Sequence, residues 1–504
     1  MALRSDTLVQ GRFLPLTVLL GLGLVYAAFP TQNSTSDAYD YAACVKWQVD
    51  LWQPHHLLYN ITGLGAYTLV HRLGLPVAPL ELMQFLNSLF AGASLWVLWR
   101  IIAPRQKSRA VQAGLLLLAG ASLGTLRYAT ENETYIIPLF FSLLGSYFWA
   151  TFQESGQKRH LLWSSFWAAW ACLYHQIHFF WWLGLLLHFL LDQKRSWKLA
   201  LWFVVPALVV PLGYAVVMEL QGMPLLQAHR FIFLDFYKGE VETTVTYQHF
   251  LLTGISLVRT FFEVHGRQYY LVQQNVLYIL PALGTLLLLG KACLLLLPAK
   301  PRLSLPTSAF CRTHGLILLL HLLFAWFAVG NAEFMVMVPW LLALLLSCSH
   351  KLQARPLLFA GLGLFIWNMA YAVGPNYGYT YANFACTRAY VQRQPQATLL
   401  LADKNAFDAY LFYHTGQYSP RAFEISAPTP VLEQAIAEAT REARPVVTDF
   451  APQSPLLNRA WLLWSTDRQE FFSRYHLSPV TACPTFFGDK GLSQVHPEGT
   501  AGAE

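Results

Sequence analysis

Two short stretches hold most of the residues able to do chemistry. Ser36-Asp37-Ala38-Tyr39-Asp40-Tyr41 is followed closely by Pro54-His55-His56-Leu57-Leu58-Tyr59-Asn60, so carboxylates, histidines and tyrosines gather in one segment. A carboxylate at the boundary between water and lipid can act as a general base, taking a proton from an attacking hydroxyl or amine. Carboxylates beside a histidine could instead hold a divalent cation. Each group also has a plainer role. Asp37 suits a helix N-cap and Asp40 a solvated loop acid, while His55 and His56 suit hydrogen bonding at an interface.

Further polar groups recur at intervals along the chain: Glu131-Asn132-Glu133-Thr134-Tyr135, His175-Gln176-Ile177-His178, and Gly330-Asn331-Ala332-Glu333-Phe334. A longer stretch, 219–272, adds Arg230, Asp235, Lys238, Arg259 and Arg267. A guanidinium fork matches the oxygens of a phosphate, and aromatics flank Arg259 and Arg267, which favours these two as phosphate partners. Tyr39, Tyr41 and Tyr59 suit stacking against a ring or an interfacial belt. The plainer alternatives stand here too. Glu131 and Glu133 precede an apolar run whose helix dipole favours negative charge, and His175 and His178 neighbour Trp181 and Trp182 in a packing environment.

The elements that must position these groups are apolar helices. Of 504 residues, 55% are hydrophobic and 12% charged, against about 25% charged in a soluble domain. Mean hydropathy is +0.38. Such a composition belongs to a polytopic membrane protein. The net charge of +7 fits cytoplasmic loop bias. No Lys/Arg block or basic-aromatic stripe supports nucleic-acid binding.

Apolar runs predict about eleven spans, near 13–29, 81–102, 110–127, 135–152, 161–174, 176–191, 199–218, 273–297, 314–329, 334–349 and 356–373. The alternate linkers carry Arg105, Lys107 and Arg109, then Lys158 and Arg159, Lys194 and Arg195, Lys300 with Arg302 and Arg312, and Lys351 with Arg355. The opposite turns, near 131–134 and 330–333, lack Lys and Arg. This asymmetry predicts a cytoplasmic N-terminus and an extracytoplasmic C-terminus. Residues 57–73 read as an interfacial helix, since a span there would reverse every later linker. As one helix, 161–191 would run roughly 46 Å. Two crossings keep the charge pattern, with a turn near His175–His178.

On that topology Asp37, Asp40, His55, His56, Glu131, Glu133, His175, His178, Asn331 and Glu333 share the outer face. Two domains follow. A transmembrane domain covers residues 1–374, with outer loops 30–80 and 219–272, and a small α/β domain, 375–504, lies outside the membrane. Within the latter, 396–402 and 445–450 read as strands, 431–444 as an amphipathic helix, and the tail after Gly488 as loose. Cys44, Cys386 and Cys483 fall outside, where an oxidising compartment would permit a Cys386–Cys483 bridge.

The arrangement resembles the GT-C superfamily of membrane glycosyltransferases, including protein O-mannosyltransferase-like and aminoarabinose-transferase-like enzymes. The likeness rests on the Asp-bearing first outer loop (Asp37, Asp40), on His55 to Asn60, on Glu131 to Tyr135, on His175-Gln176 and on Gly330 to Phe334. It implies a catalytic acid at Asp37, with Asp40 second, and a polyprenyl-phosphate-linked sugar donor. His55, His56, Tyr59, Glu131, Glu133, His175, Arg259 and Arg267 would bind substrate. The expected enzyme sits multi-pass in the plasma (inner) membrane, contacts membrane lipid, and transfers sugar to a protein, lipid or glycan acceptor, with a divalent metal ion optional. A lipid-carrier flippase or transporter would share the many spans, but the predicted span interiors are almost free of charge. A non-catalytic envelope-assembly protein would not need acids and histidines gathered from several turns.

Overall fold

The computed structural model describes residues 13–191, 197–239, 244–297, 308–451 and 466–497, and helices occupy the apolar runs. Lys194, Arg195, Lys300 and Arg302 lie outside the described residues. Local chemistry sets the helix ends. Leu14–Ala28, Pro79–Ile102 and Val338–Ser347 each carry proline in the first turn, where a missing N–H leaves no helix bond unmade. Ser108 and Ser308 cap Arg109–Gly120 and Ala309–Phe327, accepting from the backbone N–H of Val111 and Cys311 at 3.4 and 3.2 Å. Gly156 stops Ile136–Ser155 at φ 66°, a left-handed conformation that glycine adopts without steric cost.

Among the described residues, six helices are long and apolar enough to cross a membrane: Pro79–Ile102, Ile136–Ser155, Trp197–Leu220, Val276–Leu296, Ala309–Phe327 and Ala354–Gly378. Arg109–Gly120 and Leu123–Ala129 are bent by 67° and make a seventh if they form one broken span. Leu14–Ala28, Gln176–Leu191 and Glu333–Ser347 are apolar but shorter. The molecule is therefore a multi-pass membrane protein. Helix covers every predicted segment, and among the described residues six or seven of them have the length of a full crossing. Residues 161–191 form no single helix: Lys158–Tyr174 and Gln176–Leu191 are separated at His175, whose φ −159° and ψ 122° are extended. The stretch 219–272 is not a plain loop either. It contains Ala228–Ile232, Leu234–Lys238, Tyr247–Phe261 and Arg267–Gln274.

The described chain divides into two compact units, Met1–Pro30 with Asp50–Pro375 and Thr31–Val49 with Asn376–Glu504. In the first, Trp149, Trp181 and Trp340 are fully buried in a core with Leu98, Leu116 and Leu139. Small residues let helices close. A Cβ on Gly361 would lie 2.5 Å from Leu117 Cβ, and one on Gly114 2.7 Å from Leu357 Cβ.

The second unit is built on a sheet ordered β2-β1-β3-β7-β4. Its strands are β1 (Thr398–Leu401), β2 (Ala422–Glu424), β3 (Val446–Thr448), β4 (Tyr475–Pro479) and β7 (Ser493–Pro497), with β5 (Pro484–Thr485) and β6 (Gly488–Asp489) as a separate hairpin. β1 is parallel to β2 and β3, and β7 is antiparallel to β3 and β4. The predicted loose tail is corrected through Pro497, because β7 inserts between β3 and β4. Of its residues only Val495 is buried, so it shows no apolar run. Cys386 and Cys483 form a disulfide, with Cα atoms 5.8 Å apart.

Segment 31–49, grouped with the transmembrane domain on sequence, folds in this second unit. Asn33 ties it down: its Nδ2 donates to the carbonyls of Asn376 and Tyr379 at 2.9 and 2.7 Å, and its Oδ1 accepts from Tyr381 N at 2.7 Å. Ser36–Trp47 packs on Lys404–Thr415 through Tyr39 against Tyr410, rings 5.2 Å apart. Lys46 Nζ donates to Tyr413 O at 2.9 Å and Trp47 Nε1 to Phe412 O at 3.0 Å.

Candidate functional site

In the first unit, turns at helix ends bring together six of the residues singled out on sequence. His55 stands between Gln176 and Asp235, with Nδ1 3.2 Å from Gln176 Oε1 and Nε2 3.0 Å from Asp235 Oδ1. Gln176 is the tie. Its Nε2 donates to Pro54 O, Tyr214 Oη and Ile232 O at 2.8–3.0 Å, so one amide joins three segments. The His56 ring lies 4.7 Å from the His175 ring, which lies 5.0 Å from Tyr135. Burial, reinforced by the charge of His55, pushes the His56 imidazole down to about 3. It is neutral at physiological pH.

Glu131 and Glu133 are 3% exposed, in a turn held from the neighbouring helix. Asn87 Nδ2 donates to both of their backbone carbonyls at 2.7 Å, and Tyr59 Oη donates to Asn132 Oδ1 at 2.7 Å. Buried carbonyls so paired carry no desolvation penalty. Glu131 Oε1 accepts from Asn132 N at 2.9 Å. Tyr135 Oη donates to Glu333 Oε2 at 2.8 Å. Glu131, Glu133 and Glu333 all act electrostatically on Arg127, a cation that sequence reasoning missed because it closes an apolar run. Its nearness to Glu131 was the available signal. Asn87 was missed as well: a lone amide within a span gives no pattern. His178 turns into the bundle, with Nδ1 2.7 Å from Ser142 Oγ.

Arg259 and Arg267 gather round a buried acid, also unanticipated. Glu263 Oε1 lies 2.6 Å from His265 Nδ1, and Arg259 Nη2 contacts His265 Nε2. Burial alone would raise the Glu263 carboxyl, but hydrogen bonding and charge from His265, with the charge of Arg267, hold it below the usual carboxylate value. Asn368 Oδ1 accepts from Glu263 N at 3.0 Å, and Trp367 Nε1 donates to Glu263 O at 2.8 Å. The helix bearing Arg259 packs against Leu123–Ala129, which bears Arg127, and against the Glu333–Met335 turn.

Asp37 and Asp40 belong to the second unit. Thr35 Oγ1, not Asp37, caps Ser36–Trp47 by accepting from Ala38 N at 3.1 Å. Burial first, then the charge of Asp37, pushes the Asp40 carboxyl up to about 6. A hydrogen bond from Tyr418 opposes this, and the charge of Asp408 adds to it. An acid poised there exchanges a proton near neutral pH. Among the described residues no three His, Cys, Asp or Glu side chains are grouped so as to hold a metal ion.

Among solved structures, the chain is similar to ArnT from Cupriavidus metallidurans bound to undecaprenyl phosphate. The two are 11% identical with a TM-score of 0.56, over 96% of this chain and 97% of that one. The apo state of the same protein aligns over the same shares at 11% identity and a TM-score of 0.45. No protein-family model matches, and no curated protein does. The likeness is one of fold: this chain shares the overall architecture of that structure.

Proposed function

We propose that this protein is an integral membrane glycosyltransferase, moving a sugar from a polyprenyl-phosphate-linked donor to an acceptor at the outer face of the plasma (inner) membrane. The observation that carries the reading is the end-to-end likeness in fold to ArnT bound to undecaprenyl phosphate. The chemistry is a direct displacement. An acceptor hydroxyl or amine attacks the anomeric carbon, the bond from that carbon to the phosphate oxygen breaks, and the phosphate leaves on its lipid. The proton given up by the acceptor passes to the Asp37/Asp40 pair, with Asp37 as base and Asp40 as the neighbouring acid.

Within the first unit, Arg259 and Arg267 supply guanidinium donors for the lipid phosphate. His55, His56, Tyr59, Glu131, Glu133 and His175 supply hydrogen-bonding and ring surfaces for a sugar. The acidic trio round Arg127 suits a hydroxyl-rich or amine-bearing ligand.

The test is transfer of radiolabel from a panel of polyprenyl-phosphate sugars by purified protein, with Asp37→Asn and Asp40→Asn in parallel. Label moved by the wild type and lost in the variants is the expected result. No transfer from any donor, with carrier lipid crossing the bilayer of a proteoliposome, would replace this reading with lipid flipping.

A further inference from the structure

A groove of about 480 Å³ opens at the C-terminal ends of Pro79–Ile102 and Ile136–Ser155, away from the turn 131–135 that precedes the second of these helices. Its lining includes Trp96, Trp99, Arg100, Arg105, Tyr147 and Glu154. These two helices pack together, and both end where the basic linkers gather: Lys107 and Arg109 follow one, Lys158 and Arg159 the other. No acid occurs in 100–109 or 155–160. The positive-inside rule assigns this end to the cytoplasm.

Some of the lining has a structural explanation. Arg105 Nη1 donates to Ile101 O at 2.6 Å, completing a helix end, and its guanidinium carbon lies 3.9 Å from the centre of the Phe310 ring. Trp99 Nε1 is bound to Gln112 Oε1 at 2.9 Å. Arg100 is not used in this way: it is exposed and lines the cleft, as does Glu154. Trp96 is 44% exposed, and an exposed indole near a helix end suits the membrane–water interface. Two cations, one of them held in place at a helix end, with an acceptor and aromatic walls between packed helices, match the chemistry of a lipid headgroup.

We propose that this groove binds the headgroup of an anionic phospholipid of the phosphatidylglycerol type. Arg100 and the remaining N–H groups of Arg105 grip its phosphodiester, and Glu154 accepts from a headgroup hydroxyl. The single carboxylate explains why the occupant carries hydroxyls as well as negative charge. A bare phosphate would leave Glu154 facing an anion.

Native mass spectrometry of the full-length protein in detergent micelles, with phosphatidylglycerol and phosphatidylcholine at equal concentration, tests this. Phosphatidylglycerol is retained preferentially, and Arg100→Gln lowers its retention about fivefold, the effect of one surface cation on an anionic lipid. Lys107→Gln, in the linker outside the groove lining, leaves retention unchanged. Equal retention of the two lipids overturns the proposal. So does an unchanged preference in Arg100→Gln, or an equal loss in Lys107→Gln, which would trace binding to diffuse surface charge. Arg105→Gln disturbs a helix end, so Arg100→Gln decides the matter if that variant fails to fold.

Discussion

Asp40 illustrates what one residue reveals once its surroundings are known. In a chain this apolar, the first outer segment drew attention by residue type alone, and Asp37 ranked first. Burial could not be read from sequence, yet burial is the larger reason the Asp40 carboxyl sits near 6. The sign of its effect on folding follows. Its folded value lies above the unfolded one, so its contribution is full below about pH 4 and is lost as pH rises through about 6. At pH 7.5 the ionised, half-buried group therefore works against the fold. Asp40→Asn is expected to melt at a higher temperature than wild type at pH 7.5, with the difference gone below pH 4, while transfer falls about a hundredfold or more. Thermal melts across pH, beside the transfer assay, check both halves. A variant less stable at pH 7.5 would show the carboxylate to be structurally required. At the same scale Asn87 and Glu263 carried no periodic signal, because each is one polar residue within or beside an apolar run, and Arg127 was marked only by its nearness to Glu131.

Secondary-structure elements were the most legible level, since apolar length is a physical requirement for crossing a bilayer. Caps and prolines mark most helix ends in the sequence. What could not be read was how turns are tied across space. Asn87, on Pro79–Ile102, holds the carbonyls of Glu131 and Glu133 from another segment, so the turn's shape depends on an amide more than forty residues earlier. Asn87→Ala leaves both carbonyls buried without that donor, at about 1–3 kcal/mol each. The expected result is a loss of about 2–6 kcal/mol in stability, read as a lowered midpoint in denaturant, with sugar-donor binding weakened alongside. An unchanged midpoint would mean that water replaces the amide. The bend after Gly120 and the strand Ser493–Pro497 escaped for a related reason: neither is set by a local hydrophobic period, and both are fixed by partners distant in sequence.

At the scale of the whole molecule, orientation is an expectation with two consequences to test. The basic linkers predict that the polar second unit lies outside, and a disulfide such as Cys386–Cys483 within that unit is what an oxidising compartment permits. The bridge joins residues 97 apart in sequence, a loop long enough that Cys386→Ser with Cys483→Ser should lower the second unit's stability by about 2–5 kcal/mol. Proteolysis of the purified protein with and without reductant would report it as earlier cleavage within 376–504. Orientation itself can be tested without assuming any activity. Lys351 and Gln396 are exposed and lie on opposite predicted sides. With Cys44, Cys172, Cys293, Cys311 and Cys348 replaced by serine and the bridge retained, a single cysteine at 351 should react with a membrane-impermeant maleimide only after the cytoplasmic face is opened. One at 396 should react in intact cells. The reverse pattern would place Asp37 and Asp40 in the cytoplasm together with the second unit they fold in. An outer-face transferase would then be untenable, whatever the fold, because its proposed base would stand on the wrong side of the membrane.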